Sequence, residues 1–336
     1  MRSINFIEIW RQTFPKFGRT CLKYFQVRSP VYICRLPASL NSSTSTLRFP
    51  LTMSDKQILT LNSQSNNDLP YQAAYSETGQ GSVVLFLHGF MGEGSCWRSL
   101  TQLLQPHYRC ISLDMLGFGA SSKPKIRYDI AKQVAFVRQF VETLNLGSVA
   151  IVGHSLGGWV ASAYALDYEN SIRALILAAP AGIRDDSFCG RYDALRPLLW
   201  QTPLVDGMLW LVKPFAGVVG QREGLERISW FRRELNAQPA ARSFLVDRLR
   251  PEDAIDTVEK EIHRLRVPTL VITGDRDETI PLWHSQTYAS EILGAEIVVI
   301  PGADHALPQG YASEMAELTL PFLSRVSTAS PHQPSP

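Results

Sequence analysis

Long apolar runs are missing from this chain of 336 residues. Nothing in it approaches the roughly 18 consecutive apolar residues of a membrane-spanning helix, so no transmembrane segment is expected. Cysteine is scarce as well: Cys21, Cys34, Cys96, Cys110 and Cys189 form no CxxC and no dense framework. A disulfide scaffold is thereby excluded, and reduced, buried thiols in a cytosol-like compartment are expected. There is no HExxH, the histidines are scattered, and no Cys/His spacing suits zinc, so the chain predicts no metal site. Gly117-Phe118-Gly119 lacks the third glycine of a dinucleotide-binding turn, and no cofactor is expected.

Charge is nearly balanced at +2, but it is unevenly spread. Residues 1–52 hold eight Lys or Arg and one acid, Glu8, which leaves 25 basic and 30 acidic side chains, a net of −5, in the rest. A mildly acidic body gives no reason to expect a nucleic-acid surface. The first 52 residues read as a leader: Arg-rich, almost free of acids, and Ser/Thr-rich over Asn41–Thr46, the composition of an organellar presequence. Met53 is an equally good candidate for the true start. The expected location is cytoplasmic, or organellar after loss of the leader.

What the chain does have is alternation of strand and helix patterns. Strands are predicted at Ile58–Leu61 and Tyr71–Ser76, both suited to a sheet edge, and at Val83–Leu87, a continuous apolar run of the kind covered on two faces. Further strands are predicted at Cys110–Leu113, Val149–Val152, Ala174–Leu177, Leu270–Thr273 and Ile297–Ile300, with helices at Ser99–Leu104, Ile130–Leu144, Leu156–Tyr168, Trp283–Ile292 and Tyr311–Leu323. This order predicts an α/β fold, a mostly parallel sheet flanked by helices. The rhythm breaks between Gly182 and Val267, where helices are expected over Tyr192–Trp200, Val205–Val212, Leu225–Leu235 and Arg242–Leu249 but no strand. So long a connection reads as a helical lid inserted over the strand ends. The expected division is leader 1–52, core 53–182, lid 183–267, core 268–325 and a flexible tail 326–336.

Gly153-His154-Ser155-Leu156-Gly157 follows the Val149–Val152 strand and runs straight into a helix. Serine is a common helix N-cap, but a serine in a tight strand-to-helix turn also projects its hydroxyl above the sheet, ready to act as a nucleophile. Leu85–Gly92 is a strand ending in a Gly-rich turn, where the Phe90 N–H is the first candidate oxyanion donor and that of Leu156 the second. His88 in that turn is expected to brace it. Of the seven histidines, His305 alone lies in a loop just beyond a late strand, Pro301–His305, and is the candidate base. The acid is expected past the Leu270–Thr273 strand, where Asp277 is favoured over Asp275, which is better placed to brace the turn. Asp185 and Asp186, after the Ala174–Leu177 strand, are the less favoured positions.

Five stretches make the chain resemble the lid-bearing serine hydrolases of the α/β-hydrolase fold superfamily over about residues 71–324. They are His88–Phe90, Asp114–Pro124 (DMLGFGASSKP), the GHSLGG around Ser155, and the loops Gly274–Pro281 and Gly302–His305. The resemblance implies Ser155 as nucleophile, Asp277 as acid, His305 as base and Phe90 with Leu156 as oxyanion hole, while the Asp114–Ser121 turn shapes the cavity. Dehalogenases and epoxide hydrolases of the superfamily carry aspartate where this chain has Ser155. The carbon–carbon bond hydrolases have a glycine-proline-rich oxyanion turn that Phe90–Gly94 lacks. The menaquinone-pathway lyase of this fold resembles HGFMGEG and Trp97 but has methionine and arginine where Leu156 and Trp159 stand. Asp304 occupies a position usually held by glycine, next to His305.

The expected function is hydrolysis of a carboxylic ester of a small to medium apolar substrate through an acyl-enzyme. A carbon–carbon hydrolase or lyase, a cofactor-free perhydrolase, an acyltransferase and a non-catalytic ligand-binding protein remain alternatives. The many aromatics between 183 and 267 favour an apolar substrate or lid-to-core packing. The only partner implied is a small-molecule substrate; the number of copies is open.

Overall fold

A computed structural model describes residues 56–61, 70–186, 200, 202–218, 222–247 and 256–328. The expected leader, the residues beyond 328, Cys189 and most of the helix expected over Tyr192–Trp200 lie outside the described residues. Eight strands form one sheet: β1 (Gln57–Thr60), β2 (Gln72–Thr78), β3 (Val83–Leu87), β4 (Arg109–Leu113), β5 (Val149–His154), β6 (Ile172–Ala178), β7 (Thr269–Gly274) and β8 (Glu296–Ile300). Their order is β1-β2-β4-β3-β5-β6-β7-β8. Only β1–β2 and β2–β4 pair antiparallel; the others are parallel.

Every residue of β3, β5 and β7 is buried, so these strands carry unbroken apolar runs rather than alternation. β2, expected at an edge, lies one strand in, between β1 and β4, because its Tyr75–Thr78 half pairs with Cys110–Leu113. The far edge is β8, whose Ile297 and Val299 face solvent despite an apolar sequence.

The helices are α1 (Arg98–Leu104), α2 (Ile130–Thr143), α3 (Leu156–Tyr168), α4 (Pro203–Val218), α5 (Arg222–Ala237), α6 (Pro239–Asp247), α7 (Leu282–Glu291), the single turn α8 (Leu307–Gly310) and α9 (Ala312–Thr328). Asp129 caps α2 by accepting from the Lys132 amide. On one face of the sheet α1 and α9 close a core that includes Phe86, Trp97, Leu100, Val152, Ile176, Met315 and Phe322. Helices α2 and α3 pack together, and Phe140 of α2 meets Tyr75 edge-on at 5.2 Å. Between β6 and β7, which are direct neighbours, the chain makes α4, α5 and α6. Pro239 opens α6, a position where its missing N–H costs nothing, and so this helix begins three residues before the expected Arg242. Among the described residues no helix is long and apolar enough to cross a membrane.

Register decides where loops can meet. Leu87 pairs with Gly153, His154 with Ala178, Ala178 with Ile272, and Gly274 with Ile300. The carboxyl ends of β3, β5, β6, β7 and β8 are therefore level, and the loops that follow them open on one side of the sheet.

Candidate active site

The turn from β5 to α3 puts Ser155 at φ +53°, ψ −116°, outside the backbone regions that side-chain-bearing residues favour. It is held there from both sides: its N–H donates to the Ala178 carbonyl at 3.0 Å, and its own carbonyl accepts from Gly158, Trp159 and Ala181. The neighbours must be small. A Cβ on Gly157 would sit 2.2 Å from the Leu87 carbonyl oxygen, in contact with backbone that has nowhere to go.

Two loops from the other half of the core reach this serine. His305 Nε2 lies 3.0 Å from Ser155 Oγ, and its Nδ1 lies 2.7 Å from Asp277 Oδ2. The side chain of Asp277 is fully buried, and its second oxygen accepts from the Thr279 and Ile280 amides, each at 2.8 Å. Burial raises the pKa of this carboxyl, but the His305 charge and hydrogen bond and the two amides outweigh it, and the net position is below the ordinary aspartate value. An ionised Asp277 keeps the proton of His305 on Nδ1 and leaves Nε2 as the acceptor for the Ser155 hydroxyl.

The two loops are tied to each other. Asp275 accepts from the Gly302 amide at 2.6 Å, and the Arg276 amide donates to the Ala303 carbonyl. Asp275 thus braces across to the histidine loop. Asp304 turns to its own loop, accepting from the Ala306 amide. The less favoured acids have other partners: Asp185 Oδ2 lies 3.1 Å from His284 Nε2, and Asp186 pairs with Arg184 at the surface.

Phe90 occupies the second position of a turn closed by the Gly92 amide on the Gly89 carbonyl, and Met91 takes φ +55° there. Leu156 is the first residue of α3, where amides have no partner within the helix. His88 is buried beneath this turn, donating from Nδ1 to the Gly89 carbonyl and accepting at Nε2 from the Met115 amide. Burial lowers its pKa and favours the neutral ring.

Three residues were not singled out by the sequence. His154 donates from Nε2 to the carbonyl of His305 at 2.8 Å, with ring centroids 4.8 Å apart. Burial, and then the neighbouring His305, push its pKa down to about 3. The fully buried Asp114 accepts from the Gly94 and Ala120 amides and from Lys56 Nζ at 2.6 Å, and so joins the Phe90 loop to the Asp114–Ser121 turn. Lys56 also pairs with Glu93. A lone acid at the end of a buried strand was the available signal for Asp114; nothing in the sequence marked His154 or Lys56.

The aromatics between 183 and 267 differ in burial. Trp200 is 61% and Trp210 74% exposed, whereas Trp230 is half-buried and Phe231 and Phe244 are buried. Burial inside this segment therefore comes from α5 and α6. Cys110 is free and buried, its thiol pushed up to about 12 by burial. Among the described residues, no three His, Cys, Asp or Glu side chains converge to hold a metal.

A chain with this sheet order, and with a serine turn after its fifth strand, is an α/β hydrolase in architecture. The alpha/beta hydrolase fold family matches residues 82–308, and the chain belongs to it. It is 28% identical over 262 residues to a 2-hydroxy-6-oxo-6-(2'-aminophenyl)hexa-2,4-dienoic acid hydrolase of Metapseudomonas resinovorans, covering 76% of this chain and 88% of that protein. It is 27% identical over 280 residues to the monoacylglycerol lipase ABHD6 of Bos taurus, covering 76% and 80%. A thermophilic esterase of Thermogutta terrifontis, solved with malate, shares the fold with a TM-score of 0.63 at 23% identity, over 81% of this chain and all of that one.

Proposed function

We propose that this protein is a serine hydrolase that cleaves a carboxylic ester of a small to medium apolar substrate. The observation that carries the reading is the continuous hydrogen-bonded chain from Ser155 through His305 to the buried Asp277. In this mechanism Ser155 Oγ attacks the carbonyl carbon while His305 Nε2 takes its proton. The oxygen of the tetrahedral intermediate is held by the Phe90 and Leu156 amides, and each such donor contributes about 2.7–4 kcal/mol. The imidazolium gives its proton to the departing alcohol, leaving an acyl-Ser155. Water then attacks with His305 as base, and acid and free enzyme are released. Asp277 keeps the ring in the required tautomer and stabilises the imidazolium. The segment 183–267 serves as the lid, since it leaves β6 and returns to β7 beside the site. Support for ester cleavage comes from the lipase relative.

Ser155→Ala is expected to leave the circular dichroism spectrum unchanged and to lower kcat for a p-nitrophenyl ester by about 10⁴–10⁶-fold. A folded variant with wild-type turnover would end the assignment.

A second reading is favoured by the other relative, which by its name acts on an oxo-dienoic acid. The same groups would then cleave a carbon–carbon bond next to a ketone. Paired kcat/KM measurements on esters and vinylogous diketones, with Ser155→Ala as the blank, separate the two.

A further inference from the structure

Helix α4 does not look like a helix that belongs in water. Leu204, Met208, Leu211 and Phe215 recur at spacings of four, three and four, the period that puts side chains on a single helical face. In a folded protein such a face is normally the buried one. Here it is the outer one: Leu204 is 74%, Met208 67%, Leu211 61% and Phe215 68% exposed. Trp200, Trp210 and Val212 are exposed as well. The four side chains of the stripe alone expose on the order of several hundred Å² of apolar surface, the size that marks a site of interaction. Across Pro203–Phe215 the only charged side chains are Asp206 and Lys213, and Asp206 is engaged by the Arg232 guanidinium through both of its oxygens. The helix rests on α5 and leaves the rest of its circumference outward.

Charge identifies the occupant. Residues 187–250 hold ten basic and six acidic side chains, while the remainder of 53–336 holds fifteen basic and twenty-four acidic. The apolar face is thus set in the basic part of an otherwise acidic body. A second copy docking face to face would bring two such basic segments together, and residues 1–52, with eight basic side chains and one acid, carry the same sign. Neither complements the patch. An apolar layer bordered by negative headgroups complements both of its properties, and tryptophans are well suited to that boundary because their rings are apolar with one polar edge. We propose that α4 is a docking helix for anionic lipid bilayers, lying in the interface with Leu204, Met208, Leu211 and Phe215 directed into the acyl region. The inference is independent of which bond the enzyme cleaves.

The test uses the full chain and vesicles of phosphatidylcholine, with and without phosphatidylglycerol. Cosedimentation is expected with the mixed vesicles, weaker binding with phosphatidylcholine alone, and weakening at high salt. Tryptophan emission should shift to the blue on binding, by less in Trp210→Phe. Met208→Glu with Phe215→Glu should keep the wild-type melting temperature, because both side chains are already exposed, and should lower the partition coefficient by about tenfold or more. Met208→Leu should bind as wild type. The proposal is overturned if the wild-type chain does not bind mixed vesicles, or if binding survives the two glutamates. It is equally overturned if analytical ultracentrifugation shows a dimer that these glutamates dissolve, which would make a second copy the occupant.

Discussion

Buried histidines govern how this protein meets acid. His154 is pushed down to about 3, and burial likewise lowers His88 and His284. The unfolded chain takes up these protons near pH 6.5, whereas the folded chain refuses that of His154 until about pH 3. Between those limits the unfolded state binds more protons, so the contribution of His154 to stability is complete above about pH 6.5 and shrinks as pH falls, by about 1.4 kcal/mol per unit; His88 and His284 act in the same direction. Asp277 behaves differently. Its folded pKa lies below the ordinary carboxylate value, so what it contributes is retained above that value and lost only as pH falls through the lower folded one. Loss of stability between pH 6.5 and 4.5 therefore belongs to the histidines. Urea midpoints should fall over that range, and His154→Gln, whose amide can still donate to the His305 carbonyl, should flatten the curve; a mutant curve parallel to wild type would remove His154 from this account. Asp277→Asn should preserve the fold while presenting His305 with the wrong tautomer, at a cost of about 10⁴ in kcat.

Glycines fix how closely the elements approach around the site. A Cβ on Gly157 meets the Leu87 carbonyl oxygen at 2.2 Å, and one on Gly274 meets the Ala303 carbonyl oxygen at 2.2 Å. Gly157→Ala should push α3 away from β3, costing about 1–3 kcal/mol by overpacking and moving Ser155 with it; kcat should fall more than that loss of stability accounts for. All eight strands were legible: β3, β5 and β7 are covered on both faces and have to be apolar throughout, with Val83–Leu87 matched to the residue, while the edge strands showed as short apolar or alternating runs. Asp277 was separable from Asp275 by its distance past the strand. His154, Asp114 and Lys56 were not legible in the same way, since what they do depends on partners remote in the chain. His154 bonds to a backbone atom 151 residues away, and Lys56 reaches Asp114 across 58. The aromatics of the helical segment could not be sorted for another reason: composition counts tryptophans but does not say which side of a helix they take.

At the scale of the molecule, the point at which the body begins can be tested. Lys56 anchors the fully buried Asp114, so deleting residues 1–52 should leave the melting temperature unchanged, while Lys56→Ala in the shortened chain should lower it by about 2–6 °C. A large loss from the first deletion alone would make the leader part of the fold. The sheet is also assembled from two lengths of chain: β6 closes the first and β7 opens the second, and their pairing joins Leu175 to Thr269. Ser155 belongs to the first length, Asp277 and His305 to the second. Neither length contains the hydrogen-bonded chain by itself, so turnover, whichever bond is cleaved, would report one zippered seam. Fragments cut within α4–α6 would be silent when expressed apart and active only when expressed together, which makes the intervening helices a place where the chain can be cut or lengthened without losing the three reacting side chains.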